Sequence, residues 1–149
     1  MELYLVQHGE AKSEAEDPER PLSERGKKEA GKVARRLAES GIRPDEVFHS
    51  QKLRAKQTAD IFSSALRSRS LEMQGLKPND DPAIARDFVE GQGRSVMLVG
   101  HMPHLSRLAS LLITGNPEHE TISFRMGACV CLVKEERWKV KWILTPELA

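Results

Sequence analysis

Cysteine is nearly absent from this chain of 149 residues: there are two, Cys129 and Cys131. Placed two apart in a strand, they share one face and make a poor disulfide. That excludes a disulfide scaffold. It also suits a reducing compartment, so the expected location is cytoplasmic. An excess of one charge sign is missing too. With 23 basic and 22 acidic residues the formal net charge is +1, which is not the profile of a protein that grips nucleic acid by bulk charge. Long apolar runs are absent as well. The stretch Leu3–Val6 is far short of the roughly 20 residues a membrane helix needs, so no membrane association is expected. Met1-Glu2-Leu3-Tyr4 carries no basic stretch ahead of its apolar run, so it does not read as a signal peptide. Aromatics are few, at 5%, whereas charged residues reach 30%. The surface is therefore well solvated, and the length fits one domain, residues 1–149.

What is present is an alternation of strand and helix signals. Leu3–Val6 and Val96–Val99 are continuously apolar, as in strands of a parallel sheet buried on both faces. Val47-Phe48 reads as a shorter third strand. Between them, Ala30, Val33, Ala34, Leu37 and Ala38 follow the helical period, as do Thr58, Ile61, Phe62, Ala65 and Leu66, and later Leu105, Leu108, Ala109 and Leu112. A weaker helix is expected from Pro82, carrying Ile84, Phe88 and Val89. Ser23 and Ser50 are expected N-caps and Gly41 a C-terminal stop. Ala128–Val133 and the alternating Lys139–Leu144 predict a closing hairpin with its turn at Lys134–Arg137. The fold class is α/β: a central, mostly parallel sheet with an antiparallel C-terminal edge and helices on both faces.

In such sheets, ligands bind at the carboxyl ends of the strands. Two matched features stand there. The first strand runs into Gln7-His8-Gly9-Glu10, and the strand Val96–Val99 runs into Gly100-His101-Met102-Pro103. If those strands are neighbours, His8 and His101 face one another. Arg54 falls on the inward stripe of its helix near the N-terminus, with no acid at i±3 or i±4 to pair with. An inward guanidinium beside helix-end amides suits an anion, phosphate first. Residues 9–22 form a connection long enough to suggest function, acidic in its middle and closing on Arg20-Pro21-Leu22-Ser23, where Pro21 could fix the direction of Arg20. Pro103 suits a helix start, so His101 would sit ahead of helix-end amides. His49, His104 and His119 read as surface histidines. Two patterns are set aside. Cys131 to Arg137 matches Cys-x5-Arg, but without a glycine and inside a hairpin. His8, His101 and His104 have no carboxylate or thiolate at ligand spacing, so no metal is expected.

Taken together, Leu5-Val6-Gln7-His8-Gly9-Glu10, Arg20-Pro21-Leu22-Ser23-Glu24-Arg25-Gly26, Ser50-Gln51-Lys52-Leu53-Arg54-Ala55-Lys56-Gln57-Thr58-Ala59 and Val99-Gly100-His101-Met102-Pro103 resemble the histidine phosphatase superfamily. The short length and the Arg-Pro-Leu element are most similar to the SixA-type phosphohistidine phosphatases. The resemblance implies a phosphoglycerate mutase-like three-layer sandwich and an activity without metal or other cofactor. It implies His8 as the nucleophile that takes the phosphoryl group, Arg54 and Arg20 as phosphate-holding arginines, and His101 as the second histidine at the phosphate. Gln7, Gly9, Arg20, Arg54 and His101 then form the substrate-binding set. The family pattern is usually Arg-His-Gly, and Gln7 replaces that arginine, removing one positive charge from the pocket.

The expected reaction is attack of neutral His8 on phosphorus, followed by hydrolysis of the phosphohistidine intermediate. Glu10 is the nearest acid in sequence. A phosphohistidine-bearing protein, in signal transduction, is the expected substrate, because an imidazole leaving group needs little help from an acid. Two alternatives stand beside it: a small phosphomonoesterase of the same fold acting on metabolites, and a catalytically weak phosphoprotein-binding module.

Overall fold

A computed structural model describes all residues, Met1 to Ala149. Six strands and four helices follow one another: β1 (Glu2–Gln7), α1 (Glu24–Glu39), β2 (Glu46–His49), α2 (Leu53–Leu66), β3 (Arg69–Glu72), α3 (Pro82–Gln92), β4 (Val96–Gly100), α4 (His104–Thr114), β5 (Cys129–Lys134) and β6 (Trp138–Leu144). They form one sheet in the order β3-β2-β4-β1-β5-β6. The pairs β2–β3, β2–β4 and β1–β4 are parallel, whereas β1–β5 and β5–β6 are antiparallel. This is the expected α/β sandwich with an antiparallel edge.

The uninterrupted apolar runs have a two-sided explanation. Side chains alternate across a strand, so a strand with helices on both faces must be apolar at every position. Tyr4 and Val6 join Val47, Met97 and Val99 beneath Val33, Ala34 and Leu37 of α1 and Ala55, Ala59 and Phe62 of α2. Leu3 and Leu5 join Phe48, Val96 and Leu98 against Ala85 and Val89 of α3 and Leu105, Leu108 and Ala109 of α4. Cys129 and Cys131 are free thiols buried in the first of these cores. Burial pushes the Cys131 thiol up to about 12, which removes it as a nucleophile.

Several expectations needed correction. Strand β3 was not anticipated; its four residues are exposed or half-buried and carry no apolar alternation. Ser23 caps α1 as expected, accepting from Gly26 N–H, but Ser50 does not cap α2. Lys52 occupies that N-cap position without a side-chain cap bond. In α3 the buried residues are Pro82, Ala85 and Val89, and Ile84 is exposed. His49 and His104 are buried, not on the surface. Each follows or ends an apolar element, and the fold closes over it.

Burial sets an acid limit on stability. The His101 imidazole is pushed down to about 3 and His104 to about 4, in both cases chiefly by burial. Both are neutral in the folded state and take up protons near pH 6.5 when unfolded. Their contribution is therefore complete above pH 6.5 and is lost as the pH falls towards the folded values. At pH 5 the loss is about 2 kcal/mol per histidine. Urea unfolding at pH 7 and pH 5 reads it as a lower midpoint at pH 5. An unchanged midpoint would mean that these rings titrate freely in the fold.

Candidate active site

The register of the central strands builds the site. Gln7 of β1 pairs with Gly100 of β4, so the next residues, His8 and His101, emerge side by side at the carboxyl ends. The His8 N–H donates to Gly100 O at 3.0 Å and holds the two chains together one step past the pairing. The imidazole centroids lie 5.1 Å apart at an interplanar angle of 55°. The two histidines, 93 positions apart in sequence, thus share one crevice.

His8 is fixed in one tautomer. Its Nδ1 lies 2.7 Å from the Gly9 carbonyl oxygen, which only accepts, so Nδ1 carries the proton and Nε2 keeps its lone pair. Its pKa is lowered, first by burial and then by the charges of Arg54 and Arg20, against the pull of the Gly9 carbonyl. A neutral ring with a free Nε2 is what nucleophilic attack requires. Gly9 is held in turn by its own N–H, which donates to Thr58 Oγ1 at 3.0 Å, while Thr58 donates to Arg54 O at 2.8 Å. Thr58 therefore ties the histidine loop to the arginine helix. Nothing but its place on the inward face of α2 signalled this in the sequence.

Glycine is needed here for close approach. A Cβ on Gly26, in the first turn of α1, would lie 2.1 Å from the Glu10 carbonyl oxygen. Gly26→Ala, ordinarily a gain in a helix, is expected to destabilise the protein by about 1–3 kcal/mol through this overpacking, seen as a lower urea midpoint. A rise in the midpoint would show that α1 and the histidine loop separate without cost.

Arg54 is the second residue of α2. Its Nε is buried with no hydrogen-bond partner, and burial followed by the charge of Arg20 lowers its pKa. Arg20 sits in the left-handed region at φ 49°, an uncommon conformation for a residue with a side chain. Its Nε donates to Lys12 O at 3.1 Å, and the next segment is anchored by Leu22 N–H donating to Gln57 Oε1 at 2.7 Å. Neither arginine has a carboxylate within ion-pair distance. Both line a cleft of about 470 Å³ together with Lys52, and Glu14 and Glu19 stand on its wall. Two guanidiniums close enough to act on one another, with no carboxylate within ion-pair distance of either, suit an anion.

His101 is 1% exposed, and its Nε2 lies 2.6 Å from Ser50 Oγ. Burial, followed by the neighbouring charges, makes it a neutral ring. The Leu105 amide at the start of α4 donates to His101 O at 2.9 Å, so that amide is already used. Gln7 ends β1 and its carbonyl accepts from Gly127 N–H at 2.9 Å. Glu10 is occupied as well: Ser23 Oγ donates to its carboxylate at 2.7 Å and Arg25 lies at 3.9 Å. No three His, Cys, Asp or Glu side chains converge as metal ligands, and His104 does not join His8 and His101 in such a group.

His8 and His101 do not line the cleft that Arg20 and Arg54 line, but the charges of both arginines reach the His8 ring. Paired imidazoles at the carboxyl edge of a mixed α/β sheet, beside two guanidiniums, define a phosphoryl-handling class. The model of the histidine phosphatase superfamily, branch 1, matches residues 3–78. The chain belongs to the histidine phosphatase superfamily, and its architecture is of the SixA type. An uncharacterized protein of Picosynechococcus sp. is 34% identical over 127 residues, covering 80% of this chain and 77% of that protein. The mitochondrial serine/threonine-protein phosphatase Pgam5 of Drosophila ananassae is 41% identical over 66 residues, 44% of this chain but only 23% of that protein. Among solved structures, the protein histidine phosphatase SixA complexed with tungstate superposes with a TM-score of 0.87 at 24% identity, covering 98% of this chain and 97% of the other. The SixA of Agrobacterium tumefaciens gives 0.80 at 25% identity and 97% of both chains. The alpha-ribazole phosphatase of Shigella flexneri gives 0.76 at 17% identity, covering 98% and 97%. No helix is long and apolar enough to cross a membrane.

Proposed function

We propose that this protein is a phosphohistidine phosphatase that removes phosphoryl groups from protein histidine through a phospho-His8 intermediate. The observation that carries the reading is the His8 ring, held through Nδ1 to Gly9 O and 5.1 Å from that of His101. His8 Nε2 attacks phosphorus as the bond to the leaving nitrogen breaks, and water then cleaves the phosphohistidine and restores His8. Arg54 and Arg20 hold the equatorial oxygens, His101 stabilises the charge that develops there, and Gln7 adds an uncharged donor at the rim. Gly9 acts by holding His8 rather than by binding substrate, since its N–H is already given to Thr58.

The substrate preference rests on the leaving group. Glu10, the nearest acid in sequence, is engaged by Ser23 and Arg25. A phosphoramidate leaves as an imidazole and needs little protonation from the enzyme, whereas an alkoxide needs a strong acid. The likeness in fold to a protein histidine phosphatase supports the same choice. The likeness to an alpha-ribazole phosphatase keeps a metabolite ester in view as the rival substrate.

The test compares phosphate release from a phosphohistidine peptide and from alkyl phosphate esters, with and without chelator. Turnover is expected to be faster on the peptide and indifferent to the chelator. Faster release from the esters would assign the protein to metabolite phosphatases, and loss in chelator would introduce a metal. Tight binding of the phosphopeptide with no single-turnover release would make it a binding module.

A further inference from the structure

Ser50 is fully buried between β2 and α2 and was expected to cap α2, which it does not. Its hydroxyl makes two other contacts. Lys52 N–H donates to Ser50 Oγ at 3.3 Å, and His101 Nε2 lies 2.6 Å from the same oxygen. The other nitrogen of His101, Nδ1, is buried and has no partner within the protein. The ring itself is neutral, so one nitrogen carries a proton and the other a lone pair.

A count of donors and acceptors decides between the two tautomers. With the proton on Nε2, His101 would donate to Ser50 Oγ, which already accepts from Lys52. The serine O–H would then have no acceptor in a fully buried place, and Nδ1 would be left as an unpaired acceptor. With the proton on Nδ1, Ser50 donates to Nε2, its hydroxyl is satisfied in both directions, and a single group is left over: Nδ1–H. One buried unpaired group is preferred over two.

We propose that Ser50 is a positioning residue that fixes His101 as the Nδ1–H tautomer, so that the ring presents a hydrogen-bond donor, and not a lone pair, to the phosphoryl oxygens. The inference deepens the phosphatase reading and rests on it for its consequence. An Nδ1 lone pair would repel the anion that Arg20 and Arg54 attract, whereas Nδ1–H adds a neutral donor without adding another charge to a cleft already holding two guanidiniums. It also gives the two histidines opposite duties through opposite partners. A carbonyl on His8 Nδ1 frees Nε2 as a nucleophile, and a hydroxyl on His101 Nε2 frees Nδ1–H as a donor.

The experiment is nitrogen-15 NMR of the histidine side chains in wild type and Ser50→Ala, paired with phosphate release from a phosphohistidine peptide. In the wild type, His101 is expected to show a protonated Nδ1 and an unprotonated Nε2, and inorganic phosphate should shift the Nδ1–H resonance. In Ser50→Ala, the tautomers should mix and kcat should fall about tenfold with little change in KM. A proton on Nε2 in the wild type overturns the proposal, as does Ser50→Ala with the wild-type tautomer and kcat. The NMR result needs no turnover, so failure of the tautomer assignment and failure of the phosphatase reading are read separately.

Discussion

His8→Ala is expected to release no measurable phosphate from a phosphohistidine protein, a loss of at least about 10⁴-fold, because on the proposed mechanism no other group can carry the phosphoryl. His101 cannot take over: its Nε2 is engaged by Ser50 Oγ at 2.6 Å, and the ring is held by burial. Cys131 cannot either, since it lies on β5 in the core, paired with Trp142 of β6, with its thiol pushed up to about 12. The variant is expected to fold, because His8 is half-buried and its ring makes a single hydrogen bond, to its neighbour's carbonyl. In the wild type, brief exposure to labelled phosphopeptide followed by alkaline quenching should trap label on the protein, and acid should remove it, as the phosphoramidate bond requires. Equal phosphate release by wild type and His8→Ala would remove this residue from the mechanism.

Arg54→Ala has the second largest expected effect, and two measurements should move in opposite directions. On activity, loss of the charged donor that the proposed mechanism places on the transferring oxygens should lower kcat/KM by about 10²- to 10³-fold. Lysine restores only part of this, because an ammonium cannot replace a planar fork. On stability, burial and the nearby Arg20 both act against the Arg54 charge, and its Nε has no partner. Replacing it relieves that cost, so the thermal midpoint of Arg54→Ala should equal or exceed that of the wild type. Groups that serve a site are commonly unfavourable for the fold. Inorganic phosphate should raise the wild-type midpoint by mass action and leave that of Arg54→Ala nearly unmoved. A variant that is both inactive and much less stable would instead make Arg54 part of the packing.

The Gln7 departure bears on the same balance. Gln7 brings no charge of its own, and Arg20 and Arg54 both lower the His8 pKa, which favours the neutral ring that the proposed mechanism needs.

How far the chain could be read without coordinates depended on range. Periodicity located β1, β2, β4 and all four helices, since burial on one helix face or on both strand faces is written in consecutive residues. It also placed His8 and His101 at strand ends and Arg54 on an inward stripe. It failed at β3, whose pairing with β2 makes it a strand although its side chains carry no pattern. It failed again at His49 and His104, whose burial comes from elements that return from elsewhere in the chain.

By itself the sequence determined which segments are strands and helices, that the sheet is covered on both faces, and which residues could carry phosphoryl chemistry. Only the tertiary structure decided that β1 lies between β4 and β5, in a register that sets His8 beside His101. It alone gave Ser50 to His101 rather than to the helix cap, and Thr58 to Gly9. The reason is physical: local periodicity records how each segment meets apolar surface, whereas strand order and hydrogen-bond partners are set by the joint packing of segments distant in the chain.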